Sequence, residues 1–98
     1  MADVSGLPGE WLARKGLADL ERGEVSPEAL TLSLATQRLL RLGIEIRTAA
    51  PLPRERELAL YTALMERGID DPYSRYNALV RELGSFLEAL ERRKRRSR

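Results

Sequence analysis

The 98-residue chain contains no cysteine and no histidine. The absence of cysteine excludes disulfide bonds, thiolate zinc sites and thiol nucleophiles. The absence of histidine removes the side chain that most often acts as a general base and as a metal ligand near neutral pH. Catalysis would have to use carboxylates, tyrosine, arginine or a metal ion held by oxygen alone. We therefore predict a non-catalytic protein, with no catalytic, cofactor-binding or metal-binding residues.

Aromatic residues and long apolar runs are also scarce. The chain has one Trp, one Phe and three Tyr, and no apolar run approaches the roughly 20 residues that a membrane-spanning helix needs. Residues 1–6 show no basic segment followed by an apolar core, which a secretory signal peptide would have. We expect a cytoplasmic location and no membrane partner.

Leucine dominates what is present, with 18 copies against three each of valine and isoleucine. Leucine favours helices, and the residues that favour strands are few. Apolar residues make up 43% of the chain and charged residues 33%, a composition typical of a folded protein. We predict an all-α fold, with a single helical domain over residues 1–91.

Prolines, glycines and capping residues divide the chain into four predicted helices. Gly23, Gly43 and Gly68 are typical of positions just past a helix end, and a capping residue followed by proline opens two of the helices. The predicted helices run from about Pro8 to Arg22, from Ser26 to about Leu42, from near Pro53 to before Gly68, and from Asp71-Pro72 to at least Arg93. Together they predict a small, mostly antiparallel four-helix bundle with a longer C-terminal helix.

The length of the last helix suggests that another molecule covers part of it. Apolar residues recur at spacings of three and four from Tyr76 to Leu90, over a helix about 33 Å long against about 23 Å for its neighbours. Either the charged end projects into water, or a second copy covers the region from Phe86 to Leu90. We predict an interaction or scaffold protein that forms a homodimer or binds a helical partner. The candidate partner surface is Trp11, Tyr73, Tyr76, Asn77, Leu83, Gly84, Phe86, Leu87 and Leu90.

Some of these residues have a second interpretation. A glycine inside a helix costs about 1 kcal/mol relative to alanine, so Gly84 suggests close approach of another backbone, from the same chain or from a second copy. Tyr76 and Asn77 could serve a partner, or Tyr76 could be core and Asn77 could bond to residues 44–47. Trp11 fits a partner contact or an ordinary core edge.

Residues 92–98 form a basic tail that continues the last helix. They carry six positive charges, which leaves 11 basic against 15 acidic side chains in residues 1–91. Such a tail could follow a nucleic-acid backbone, although no interleaved aromatic residue offers a stacking surface. The other interpretation is that the cations complement the negative end of the helix. The candidate nucleic-acid contacts are Arg92, Arg93, Lys94, Arg95, Arg96 and Arg98.

Two groups of carboxylates complete the set of candidates. Glu66, Asp70 and Asp71 would be the ligands of a metal-dependent hydrolase, which is a remote alternative because Asp71 is also expected to cap the last helix. Glu82, Glu88 and Glu91 alternate with arginines at helical spacing. We interpret this second group as a solvated helix face.

Overall fold

The computed structural model describes residues 3–96, and all of its regular structure is helical. The five helices are α1 (Glu10–Arg22), α2 (Pro27–Ser33), α3 (Thr36–Arg41), α4 (Arg56–Glu66) and α5 (Pro72–Arg96). Residues 3–96 contain no strand, so the predicted all-α class is confirmed. The 25 residues of α5 extend about 37 Å at 1.5 Å per residue. None of the helices in this part of the chain is long and apolar enough to cross a membrane.

Left-handed glycines bound the first helix at both ends. Gly9 and Gly23 each have a φ of 78°, a conformation that residues with a Cβ rarely adopt. A Cβ on Gly9 would also lie 3.0 Å from the Cβ of Phe86, which places the start of α1 directly against α5. Because the chain turns at Gly9, α1 begins at Glu10 rather than at Pro8 as predicted.

The segment predicted as one helix from Ser26 to Leu42 is two helices, α2 and α3. The Ser33 carbonyl accepts hydrogen bonds from Thr36 Oγ1 at 2.8 Å and from Arg56 Nη1 at 2.7 Å. These side chains replace the amide donor that a continuous helix would supply. The structure therefore has five helices where four were predicted. The break was not visible in the sequence, because Arg56 lies 23 positions further along the chain than Ser33.

A short turn over residues 67–71 joins α4 to α5, and the two helices pack against each other, so we name them the α4–α5 hairpin. The Ile69 amide donates to the Leu64 carbonyl at 3.3 Å across the turn. Asp71 accepts hydrogen bonds from the Ser74 amide at 3.2 Å and from Ser74 Oγ at 2.8 Å. The predicted cap of the last helix by Asp71 is confirmed.

The second helix lies at the centre of the molecule and packs against α1, α4 and α5. Its closest approach to α1 is at Gly16, where a Cβ would lie 2.6 Å from Leu32 Cδ1 and 2.9 Å from the Glu28 carbonyl oxygen. The sequence suggested close packing at Gly84, but a Cβ there would have no atom within 4 Å among the described residues. The largest fully buried apolar side chains are Leu12, Leu20, Leu30, Leu32, Leu39, Ile44, Leu60 and Phe86.

A single chain covers the apolar stripe of α5. Leu83, Phe86, Leu87 and Leu90 are each at most 5% exposed, and the segment before α1 contributes two buried residues to the same core. The prediction from helix lengths considered only the other helices and overlooked this segment, which also covers part of α5. Contrary to the prediction, these four residues lie inside the chain and not on a surface for a second copy.

Candidate interaction surfaces

Helices α4 and α5 carry four of the eight large apolar side chains that are exposed within residues 3–96. Half-buried residues lie beside them on the same two helices. We name this set the hairpin face, and it consists of Leu58, Tyr61, Met65, Tyr73, Tyr76, Asn77, Val80 and Gly84. Tyr73 is its most exposed member, at 66%.

The α5 part of the hairpin face contains a seam of four residues. Tyr73, Asn77, Val80 and Gly84 follow one another at spacings of four, three and four. This alternation keeps side chains on one side of a helix and is the spacing of a coiled-coil seam. The seam is distinct from the buried stripe of α5, so the helix has one apolar side in the core and a second, mixed set of residues at the surface, of which Tyr73 and Val80 are exposed apolar side chains.

The α4 part of the face lies beside the side of α4 that enters the core. Leu60 and Leu64 are buried, whereas Leu58 and Met65 are 59% and 50% exposed. Tyr61 has the spacing of three and four that places it between them on the helix surface. The hairpin face thus takes its exposed apolar side chains from two helices.

Two residues of the seam lack the contacts within the chain that the sequence suggested for them. Gly84 has open space around the position of a Cβ. The Asn77 side chain makes no hydrogen bond to any residue between 3 and 96, so the alternative bond to residues 44–47 is not found. Tyr76, in contrast, is half-buried and packs against the core.

Trp11 lies on another side of the molecule. Its side chain is 49% exposed, and its Nε1 donates a hydrogen bond of 3.3 Å to Glu82 Oε1. Glu82 follows Val80 by two positions, which is about 160° around the helix at 3.6 residues per turn. Trp11 is thus separate from the hairpin face, although the sequence analysis placed it with those residues.

The basic end of α5 lies against the end of α3. Lys94 Nζ donates a hydrogen bond of 2.5 Å to the Arg41 carbonyl oxygen. Lys94, Arg95 and Arg41 are all exposed, and none of them forms an ion pair with a carboxylate of residues 3–96. The cationic side chain of Lys94 therefore lies at the backbone of Arg41, at the end of α3.

A recess of about 500 Å³ opens beside this contact, where α2 gives way to α3. Arg38, Arg41 and Arg56 are among its lining residues, and no carboxylate is. Arg38 forms an ion pair with Glu91, with 2.6 Å between Nη2 and Oε1. We name Arg38, Arg41, Arg56, Lys94 and Arg95 the basic surface.

The other members of the predicted basic tail have different surroundings. Arg93 holds the segment before α1, because its Nη1 donates to the Asp3 carbonyl at 2.9 Å and its Nη2 to the Ser5 carbonyl at 3.1 Å. Arg92 and Arg96 are exposed on the same helix end. Arg98 lies outside the described residues.

The carboxylates proposed for metal binding are not brought together. Residues 3–96 contain no group of three or more Asp or Glu side chains that could hold a metal ion. Of Glu66, Asp70 and Asp71, the last is engaged in capping, and the hydrogen bonds from Ser74 lower its pKa. Glu91, from the second group, pairs with Arg38.

A buried carboxylate lies at the junction of α1 and α2. Asp19 is fully buried and accepts hydrogen bonds from Lys15 Nζ at 2.8 Å, from Ser26 Oγ at 2.6 Å and from Arg22 Nη2. Burial alone would raise the pKa of Asp19, but these hydrogen bonds and the charges of Lys15 and Arg22 lower it below its ordinary value. Its hydrogen-bond partners are Lys15 and Arg22 of α1 and Ser26, the cap of α2, so the cluster joins the two helices.

Sequence reasoning missed two parts of these surfaces. It did not identify Leu58 and Met65 as surface residues, because periodicity does not show which side of a helix enters the core. It also missed the arginines of the recess, whose only sequence signal is their positive charge.

In comparisons with known proteins, no family model, no curated protein and no solved structure matches this chain.

Proposed function

We propose that this chain is a non-catalytic interaction protein that forms a homodimer through the hairpin face, with the exposed seam of α5 at its centre. The observation that carries the proposal is Gly84, a glycine inside a 25-residue helix with open space at its Cβ position. Glycine costs about 1 kcal/mol there relative to alanine. Within residues 3–96 of a single chain, no neighbouring group packs against the Cβ position of Gly84. Close approach by the backbone of a second copy would explain why a glycine stands there.

The spacing of the seam supports a second copy as the occupant. Spacings of four, three and four read the same in both directions, so an antiparallel second α5 presents a matching seam. With the two-fold axis midway between Asn77 and Val80, Tyr73 of one copy faces Gly84 of the other. A large, 66% exposed aromatic ring then lies over a position with no side chain. Large-to-small matching of this kind makes the seam self-complementary, as a two-fold dimer interface requires.

The central residues of the seam fit the same arrangement. In this register Asn77 faces Val80 of the other copy, and the two Asn77 residues flank the two-fold axis, offset by about 4.5 Å along the helix direction at 1.5 Å per residue. An asparagine amide has both donors and an acceptor, so two such amides can satisfy each other. An asparagine in an otherwise apolar seam also fixes the register and orientation of two helices.

Sedimentation equilibrium of the full chain tests the proposal. The mass should be twice 11.1 kDa at micromolar concentration, and Val80→Glu should give a monomer with unchanged helix content. Leu40→Glu is the control, because Leu40 is an exposed apolar residue, at 53%, on α3 and outside the hairpin face. A monomeric parent chain, or equal dissociation by both variants, refutes the homodimer.

Two further expectations belong to the proposal. The helices form a mostly antiparallel four-helix bundle with a longer C-terminal helix if α2 and α3 are counted as one broken segment. The dimer acts in the cytoplasm. An experimental structure tests the bundle, which requires α1 and α2 to lie antiparallel. The location of a tagged chain in its own cells tests the expectation of a cytoplasmic dimer.

A further inference from the structure

We infer that the basic surface binds the phosphodiester backbone of duplex nucleic acid. The inference does not depend on the proposed dimer, because the basic surface and the hairpin face share no residue. It begins from the contact between Lys94 and Arg41, which places the last turns of α5 beside the end of α3. The basic end of the chain is thus part of a folded surface and not a separate tail.

The amount of charge exceeds what the helix ends can use. The end of a helix carries about half a negative charge, so the ends of α3 and α5 together account for about one. The basic surface has five cations, and Glu91 neutralises one of them through Arg38. About three positive charges remain, before the exposed Arg92 and Arg96 on the same helix end are counted. Complementing the helix ends therefore does not explain the cluster.

The recess supplies directed donors in addition to charge. Arg38, Arg41 and Arg56 line it without a carboxylate among them. Each guanidinium has five N–H donors in a planar fork that matches a phosphate. Arg56 is held in place through Nη1, which donates to the Ser33 carbonyl at 2.7 Å and to Thr36 Oγ1 at 3.2 Å. A fixed arginine at the edge of a basic surface is suited to contact one phosphate while Lys94 and Arg95 contact its neighbours.

The surface favours a duplex over a single strand. Proteins that bind single strands stack bases on aromatic side chains, and no aromatic residue lines the recess. The exposed aromatic residues Trp11 and Tyr73 lie elsewhere, on the side of Glu82 and on the hairpin face respectively. Contacts limited to the backbone predict binding that ignores sequence and depends strongly on salt.

Fluorescence anisotropy with a labelled 20-base-pair DNA duplex of mixed sequence tests the inference. The full chain should bind at low salt, with affinity falling steeply as salt rises. The variant Arg41→Gln/Lys94→Gln/Arg95→Gln should bind at least about tenfold more weakly. Its slope of log K against log salt should be shallower by about 2 to 3, since each lost phosphate contact contributes about 0.9.

Two matched variants make the result specific. Arg47→Gln/Arg54→Gln/Arg67→Gln removes the same charge from exposed positions outside the basic surface, and it should retain binding within about threefold. Arg41→Lys/Lys94→Arg/Arg95→Lys keeps the charge and should also bind. No binding by the parent chain at low salt, equal loss in the control triple, loss of binding in the charge-retaining variant, or tighter binding of a single strand each overturns the inference.

Discussion

Ser26 Oγ donates a hydrogen bond of 2.6 Å to the Asp19 carboxylate and accepts one of 3.1 Å from the Ala29 amide. One hydroxyl group therefore connects the last turn of α1 to the first turn of α2. The carboxylate is fully buried, and the positive charges of Lys15 and Arg22 lie at its edge. The junction is a hydrogen-bonded ionic cluster whose strength depends on the charge of Asp19.

The charge on Asp19 should make stability depend on pH. Its pKa in the folded chain is lowered, so its contribution is present above the unfolded value, about 4, and is lost as pH falls towards the folded value. Asp19→Asn should reduce the free energy of unfolding by about 2 kcal/mol at pH 7, the scale of a hydrogen bond to a charged group. Urea unfolding at pH 7, 5, 4 and 3 measures this.

The difference between the parent chain and Asp19→Asn should shrink as the pH falls from 5 to 3. Asp3→Asn is the control, because Asp3 is exposed and its pKa is lowered mainly by the hydrogen bonding that its carboxylate accepts from Ser5. It should have a smaller effect at pH 7. A destabilisation by Asp19→Asn that stays the same at every pH would contradict the proposed role of the charge.

The glycines inside α1 and α5 should respond in opposite ways to alanine. Gly16→Ala places a methyl group 2.9 Å from the Glu28 carbonyl oxygen, which cannot move without shifting α2, and should destabilise the chain by about 1 to 3 kcal/mol. Gly84→Ala meets open space and should stabilise the monomer by up to about 1 kcal/mol. Thermal unfolding at concentrations low enough to keep the chain monomeric measures both effects.

Gly84→Ala also separates the stability of the chain from its association. If the seam of a second copy packs against this glycine, the same substitution that stabilises the monomer should weaken the dimer. A dimer that becomes stronger in proportion to monomer stability would show that Gly84 has no part in the interface.

Leu58 and Leu40 allow the width of the hairpin face to be tested. They are 59% and 53% exposed, on α4 and α3 respectively, so substitution of either should leave the core intact. Leu58→Glu should raise the dimer dissociation constant at least about tenfold, because burying a leucine contributes about 1.5 to 3 kcal/mol. Leu40→Glu should leave it unchanged. If neither variant changes the dissociation constant in sedimentation experiments, the interface does not include Leu58. If both raise it equally, the interface is not the hairpin face.

Arg93 should control the order of the segment before α1. It donates hydrogen bonds to the carbonyls of Asp3 and Ser5, and Arg93→Gln removes this link. Hydrogen exchange at the Gly6 and Leu7 amides should become about five- to tenfold faster, which corresponds to about 1 kcal/mol. Arg95→Gln serves as the control with the same change of charge. Unchanged exchange in Arg93→Gln would mean that the buried side chains alone hold the segment.

The helices near clear punctuation were predictable from sequence. Asp71-Pro72 marks the start of α5, and Gly23 marks the end of α1, because capping and left-handed turns depend on residues close in sequence. The division of α2 from α3 was not predictable, since the Ser33 carbonyl is taken by Arg56 from a distant helix. The candidate surfaces were predicted in part: Tyr73, Asn77 and Gly84 were identified, but four of the proposed partner residues are core.

By itself, the sequence determined the helical class, the absence of thiol and imidazole chemistry, and the excess of positive charge at the end of the last helix. These properties follow from residue types and from interactions within a few positions of the chain. Only the tertiary structure decided which apolar stripe of α5 is buried, that Gly16 and not Gly84 is the site of close helix packing, and that Lys94 meets Arg41. Each depends on how the segments dock, and helical periodicity alone does not specify which side of a helix its neighbours will cover.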